Sequence, residues 1–308
     1  MTEGPRTFRD ADAMARAIFD ATEGEVRLAL PLGLGKPVTL VNALTRAARK
    51  DPTLSLSIFT ALTLERPRPD SDMEKRFLGP AMDRLFGDYP VLDYARMIRA
   101  DNLPANISVS EFFFQAGSWL GNEYAQRHYI SANFTHARDV LIARNPNVLS
   151  QLMPRDGDRF SLSCNADISA DLFALRRTGA LDFIAVGEVN DNLPFMAGPA
   201  EIAGNDLAML LDPPARFDLF SAVRRPASDA QHAIALHVSR LIKDGGTLQI
   251  GIGAIGDAAA HALLLRDRGA LDAVWQNAPF PLTGDETAPF DTGLYAVTEM
   301  LVGGLLAL

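Results

Sequence analysis

Apolar residues in this chain gather in short runs, broken by glycine, proline and charge, and the runs alternate between strand-like and helix-like spacing. Residues 26–48, VRLALPLGLGKPVTLVNALTRAA, open with an apolar run, turn at Gly33 and Gly35, and put Pro37 in the first turn of an amphipathic segment. That order predicts a strand, a tight turn and a helix. LSLSIFTALTL (54–64) reads as a further strand, rich in β-branched and apolar residues, and ERPRPDSD breaks it. A helix is predicted over 73–85. DRFSLSCNA (158–166) and LDFIAVGEVN (181–190) read as buried strands, with helical ISADLFALRRTG between them. Ser228 is placed as the cap of a helix running to Ile242, and LDAVW (271–275) as a candidate strand.

Alternating β and α segments imply an α/β protein with mainly parallel sheets and helices on both faces. LDPPARFDLFSAVRRPASD (211–229), rich in proline and charge, is the linker candidate. It divides the chain into an expected first domain, 1–215, and a second, 216–308. The end of the chain, YAVTEMLVGGLLAL (295–308), is an apolar run with no polar tail. It reads either as a terminal helix docked on the core or, the expectation adopted, as a second domain cut short.

Composition narrows the partners. The 308 residues are 48% apolar, with a formal net charge of -9 and a pI near 5.1. Nucleic acid is not expected, because phosphate neutralisation needs clustered Lys and Arg. Cys164 is the single cysteine, so an internal disulfide is excluded and a cysteine-based metal site is not expected. The polar N-terminus lacks the apolar core of a signal peptide, and 295–308 is shorter than the roughly 20 residues of a spanning helix. A cytoplasmic protein without membrane contact is expected.

The most specific local pattern is DGGTLQIGIGAIGDAAAHALLL (244–265), where Gly251, Gly253 and Gly256 separate a β-type run from an alanine-rich helix. As G-x-G-x-x-G it fits a dinucleotide-binding turn, with Asp272 21 positions beyond Gly251 as the ribose partner. Asp272 stands at the start of LDAVW rather than at its end, and no further strand-helix-strand unit follows. The same turn at a helix start also exposes main-chain N–H groups to an oxyanion or phosphate, or serves tight packing alone. GLGKPVTLVNAL (33–44) and GIGAIGDAAAHAL (251–263) align with a single gap, as two related halves would.

Taken together, DGGTLQIGIGAIGDA (244–258), PLGLGKP (31–37), VGEVNDNLPFMAG (186–198) and GLYAVTEM (293–300) resemble, in this order, four segments of the acetyl-CoA hydrolase/transferase family, which includes butyrate and 4-hydroxybutyrate CoA-transferases. Departures are Gly256-Asp257 where the common pattern has Pro-Asn, and a stretch, WQNAPFPLTGDETAPFDT (275–292), that looks inserted before Glu299. The resemblance implies a CoA-transferase-like α/β fold covering the first domain and the opening of a second. It implies an acyl-CoA and a small carboxylic acid as partners, no cofactor beyond coenzyme A as substrate, and no metal. A homo-oligomer is admitted as an assembly state.

It also implies roles. Glu299 corresponds to the catalytic glutamate, a nucleophile that is ionised at neutral pH without a partner base. Gly251, Ile252 and Gly253 would supply main-chain N–H groups to the oxyanion, with Thr298 and Tyr295 as further donors near the glutamate. Glu188 and Asn190, at a strand end, are candidates for substrate contact or for loop packing. The reading is an acyl-CoA:carboxylate CoA-transferase acting through a glutamyl-CoA thioester. Alternatives left open are an acyl-CoA hydrolase using the same glutamate, a piece inactive without its missing half, and an oxidoreductase using the glycine turn. His128 and His136 lack the spacing of a zinc pair, no G-x-S-x-G occurs, and Lys36 lacks the surroundings of a P-loop lysine.

Overall fold

The computed structural model describes residues 4–67, 69, 71–220, 225–279, 286–298 and 303–308. The chain forms two compact units, Met1–Ser221 and Ala222–Leu308.

The first unit runs, in order, β1 (Arg6–Phe8), α1 (Ala11–Ala21), β2 (Glu25–Leu32), α2 (Val38–Lys50), β3 (Ser55–Ala61), α3 (Asp72–Phe86), α4 (Asp93–Arg99), β4 (Ile107–Glu111), α5 (Glu123–His128), α6 (Phe134–Ala143), β5 (Val148–Met153), β6 (Arg155–Asp156), β7 (Arg159–Ser161), α7 (Asp167–Arg177), β8 (Ile184–Val189), β9 (Glu201–Ala203) and β10 (Met209–Leu211). Seven strands make one sheet in the order β1-β10-β8-β5-β2-β3-β4, parallel at every pairing. The fold class is therefore α/β with a mainly parallel sheet, as the alternation of segments predicts. Parallel strands must be covered on both faces, and alternate residues supply both. Val26, Leu28 and Leu30 of β2 join α1 and α2 in one core, while Ala29 joins Leu141 of α6 and Phe173 of α7 in the other. Each fully buried aliphatic contributes about 1.5–3 kcal/mol relative to exposure.

Strand order reverses beside β2: β3 and β4 extend to one side, and β5, β8 and β10 to the other. That switch point is where α/β sheets gather ligands at their carboxyl edge. Here the crevice over Leu30, Leu32, Leu149, Asn165 and Ser169 holds about 10 Å³ of free volume, room for about one water.

Glu188 stands at this edge, near the end of β8, and only 1% of it is exposed. Its carboxylate accepts from the main-chain N–H of Leu40 at 3.1 Å and from Thr39, the first residues of α2. A helix start offers unpaired N–H groups and the positive end of its dipole, so this carboxylate caps α2 from a distant strand. Burial pushes the Glu188 carboxyl up to about 7, against the Thr39 and Leu40 donors and the Arg216 charge, which pull it down.

The second unit comprises α8 (Asp229–Ser239), β11 (Thr247–Gln249), α9 (Ala254–Asp267), α10 (Asp272–Gln276), β12 (Tyr295–Val297) and α11 (Gly303–Ala307). Ser228 caps α8 through a capping box with Gln231. α8 and α9 meet through Ala235, Ala258 and Ala262, whose small side chains allow close approach. β11 and β12 pair in parallel, Thr247 opposite Tyr295 and Gln249 opposite Val297. The third glycine of the turn is sterically fixed: a Cβ on Gly256 would meet the Gly251 carbonyl oxygen at 2.2 Å.

Two local expectations are corrected. LDAVW is the helix α10 with its preceding Leu271, not a strand. Leu271 and Trp275, four apart, are both buried, a helical spacing that five residues do not distinguish from a strand. DRFSLSCNA is extended only over β7, in a small antiparallel sheet with β6 and β9. The hydroxyl of Ser161 accepts from the Ser163 N–H at 3.0 Å and turns the chain there, with Ser163 in the left-handed region at φ 54. The linker candidate 211–229 contains the boundary between the two units, and its first part belongs to the first unit, where Phe217 and Phe220 meet Tyr89 edge-on at 5.7 and 4.9 Å.

Two measurements check these assignments. Gly256→Ala, ordinarily favourable inside a helix, should instead destabilise the second unit by about 1–3 kcal/mol, and Gly251→Ala, with open space around it, by less than about 0.5. Urea unfolding followed through Trp275 in a Trp119→Phe background reads both. For Glu188, the folded protein holds between about pH 4.5 and 7 a proton that the unfolded chain has released. Its contribution is therefore full below about 4.5 and is lost as pH rises to about 7, a change of up to about 3 kcal/mol at 1.36 kcal/mol per unit. The stability difference between the parent and Glu188→Gln, read through Trp119 in a Trp275→Phe background, should fall across that window and level off outside it; a flat difference would refute the assignment.

Candidate functional site

Two glycine turns, each between a strand and a helix, organise the residues singled out from sequence. Gly33–Gly35 follows β2 and leads to α2. Gly35 packs on the neighbouring Asn165, whose side-chain oxygen would lie 2.3 Å from any Cβ added there. Asn190, 1% exposed, knits this edge: its main-chain N–H donates to the Met153 carbonyl at 2.9 Å, its amide donates to the Phe217 carbonyl at 3.0 Å, and its side-chain oxygen accepts from Asn192 N–H at 3.0 Å. In this conformation Glu188 and Asn190 spend their polar atoms on the main chain.

Sequence reasoning missed the charged group beneath the turn. Lys36, fully buried, donates to the Ala61 carbonyl at 2.5 Å and to that of Leu62 at 3.2 Å. Glu111, at the end of β4, accepts from Thr63 through its hydroxyl at 2.7 Å and its main-chain N–H at 3.1 Å, and the same hydroxyl meets the Tyr94 phenol at 2.7 Å. Burial pulls the Lys36 amine below its ordinary value and pushes the Glu111 carboxyl above its own, each opposed by the other's charge. The signal was a lysine in the apolar glycine turn after β2 and a glutamate at the end of β4. Together they lock the exits of β3 and β4.

The second turn is different. Gly253 precedes α9 at φ 123 and ψ 176, a conformation for which glycine is required, and no side chain among the described residues caps the helix. Among the described residues, nothing accepts from the N–H groups of Ile252 and Gly253. Ile252 itself is half exposed. An uncapped helix start of this kind attracts negative charge.

β12 ends level with β11. The N–H of Ile250, just past β11, donates to the Val297 carbonyl at 3.0 Å, so the strand that precedes Thr298 lies beside the strand that precedes Gly251. Tyr295 is largely exposed. Glu299 lies outside the described residues.

Two further side chains fix the return to β12: Arg266, which the sequence did not mark, and Asp244, which opens the DGGTLQ segment but was given no role there. Arg266, 1% exposed near the end of α9, donates to the carbonyls of Ser239 and Ile242 at 2.9 and 2.5 Å and to that of Ala288 at 2.7 Å. Asp244 accepts from the main-chain N–H groups of Asp291, Thr292 and Gly293 at 2.9–3.1 Å, and these donors hold its carboxyl below its ordinary value.

His128 stacks on Tyr124 with ring centroids 3.9 Å apart and bonds the Tyr124 carbonyl through Nδ1, a structural role. Among the described residues no group of three or more His, Cys, Asp or Glu is placed to hold a metal, and no helix is long and apolar enough to cross a membrane.

No family model matches the chain. The 4-hydroxybutyrate coenzyme A transferase of Clostridium kluyveri is 24% identical over 257 residues, which are 83% of this chain and 52% of that protein. RipA from Yersinia pestis superposes with a TM-score of 0.56 at 17% identity, covering 85% of this chain and 54% of its own. A point mutant of RipA gives 0.58 at 17% identity, with 96% and 58% covered. The chain thus spans a little over half the length of the proteins it matches. In sequence it is similar to a 4-hydroxybutyrate CoA-transferase, and its mainly parallel α/β fold is shared with RipA.

Proposed function

We propose that this chain carries the nucleophile and oxyanion-binding turn of an acyl-CoA:carboxylate CoA-transferase, with an acyl-CoA and a small carboxylic acid as substrates. One observation carries the reading: the N–H groups of Ile252 and Gly253 stand uncapped at the start of α9, while β12, two residues short of Glu299, ends level with the strand leading into that turn. Similarity to a 4-hydroxybutyrate CoA-transferase supports the substrate class.

The Glu299 carboxylate attacks the thioester carbonyl; the C–S bond breaks, CoA thiolate leaves, and a mixed anhydride joins the acyl group to the glutamate. Thiolate then attacks the glutamyl carbonyl and expels the first carboxylate, leaving a glutamyl-CoA thioester. An acceptor carboxylate attacks this thioester, thiolate leaves again, and its attack on the new acyl carbonyl frees Glu299 and the product acyl-CoA. Each addition places negative charge on a carbonyl oxygen, and the donors at Ile252 and Gly253 are assigned to it. The two units are read as a CoA-transferase-like domain and the opening of a second, working in a reducing compartment such as the cytoplasm.

Acyl-CoA followed by borohydride tests the mechanism, because borohydride reduces a glutamyl thioester to an alcohol and spares a free carboxylate. Mass spectrometry should locate the reduced residue at 299, and Glu299→Gln should abolish it. Gly253→Ala, which misdirects the donors, should slow its formation about 10²-fold. If water replaces the acceptor acid without loss of turnover, the activity is that of a hydrolase. An unlabelled 299 in this chain, with labelling in a longer one, would assign the missing step to residues beyond it.

A further inference from the structure

We propose that Asp244 is a positioning residue that sets the register of β12 on β11, acting through the main chain of 291–293, and that it thereby governs how the nucleophile meets the glycine turn. The catalytic half of this inference rests on the reading of Glu299 above; the structural half does not.

A parallel pair of three-residue strands has little stability of its own, and its side chains specify register only weakly. Thr247, Gln249, Tyr295, Ala296 and Val297 are exposed, and Leu248 is half-buried. A slip along β11 would carry every residue after Val297 past the turn by about 3.3 Å per position. Contacts outside the ladder must therefore choose the register.

Asp244 provides them from three residues before β11. Its Oδ1 accepts from Thr292 N–H at 3.1 Å and Gly293 N–H at 2.9 Å, and its Oδ2 from Asp291 N–H at 3.1 Å and Thr292 N–H at 3.0 Å. Successive N–H groups converging on one anion form a nest, which Gly293 makes accessible by its φ of 91. Gly245 N–H then donates to the Gly293 carbonyl at 2.9 Å, and Tyr295 N–H to that of Gly246 at 3.0 Å. The two glycines have separate uses: Gly245 sits at φ 71, and a Cβ on Gly246 would meet the Lys243 carbonyl oxygen at 2.8 Å. Arg266 steadies the approach by holding the Ala288 carbonyl at 2.7 Å. The grip on 291–293 is thus a charged clamp at the entry to β12, and only one register satisfies it.

Hydrogen exchange on this chain tests the structural half. In Asp244→Ala, protection at the Tyr295 and Ile250 amides should fall about tenfold or more, while the α8 and α9 amides stay protected. Asp244→Asn, which keeps one acceptor oxygen, should restore part of it. Unchanged protection at Tyr295 and Ile250 would overturn the proposal, and so would wholesale loss across α8 and α9 in both variants, which would make Asp244 a general stabiliser. For the catalytic half, Asp244→Ala should lower the borohydride-trapped rate about 10²-fold with the KM for acyl-CoA within about twofold, because a misplacement near 1 Å costs reactivity rather than binding. Equal loss in kcat and in affinity would refute a positioning role. A parent chain that exchanges as expected yet traps nothing at 299 would sink the transferase reading and leave the register assignment standing.

Discussion

The first N–H groups of a helix have no partner within the helix, and how this chain satisfies them at its two glycine turns organises everything else. At α2 the answer is internal: Glu188 reaches from the end of β8 to Leu40 and Thr39 and fills the site with its own carboxylate. At α9 no side chain among the described residues does so, and Gly253 holds a conformation closed to other residues. The two turns echo one another in sequence, yet one is a closed joint and the other is left without an acceptor among the described residues. That difference is why the proposed function places a substrate oxyanion at the second.

Charged side chains bound to main chain, rather than to each other, recur as the device that fixes segment ends. Lys36 holds the carbonyls after β3, Glu111 the N–H of Thr63, Arg266 the carbonyls ending α8, and Asp244 the N–H groups before β12. Each replaces water at a backbone group that leaves a sheet or helix without a ladder partner. The cost of desolvation appears in the shifted proton affinities of Lys36, Glu111 and Glu188, and it is offset by the hydrogen bonds each makes and by the opposite charges of Lys36 and Glu111.

Much of the fold was legible because apolar periodicity survives wherever both faces of a strand are buried. The runs around β2, β3 and β8 are visible for that reason, and so are the glycine turns that follow or precede helices. Short elements were not: α10 is a single turn whose Leu271 and Trp275 fit either period, and β7 ends where the Ser161 hydroxyl, not the residue pattern, turns the chain. Within the linker candidate, the packing of Phe217 and Phe220 on Tyr89 was not legible, because prolines and charges outnumber these two aromatics. At the candidate site the turn was readable from its glycines, whose spacing reflects steric need at Gly256 and backbone conformation at Gly253. Arg266 was not, and Asp244 was visible only as the first residue of the motif segment, without its role, since their partners lie 22 to 49 positions away and are main-chain atoms, which leave no trace in side-chain chemistry.

The contrast between the two turns also constrains the nucleophile. A carboxylate seated on helix N–H groups, as Glu188 is, has its lone pairs engaged and is withdrawn from water, so its reactivity towards a thioester is low. A glutamate that attacked from such a seat would also occupy the donors that the developing oxyanion needs. Nucleophile and donors must therefore come from different segments that end side by side. β11 and β12 provide that arrangement: one strand leads to the N–H groups at 252 and 253, and the other leads toward 299. Had the acid stood on the turn itself, the chain would have built a second copy of the Glu188 joint, stable and inert.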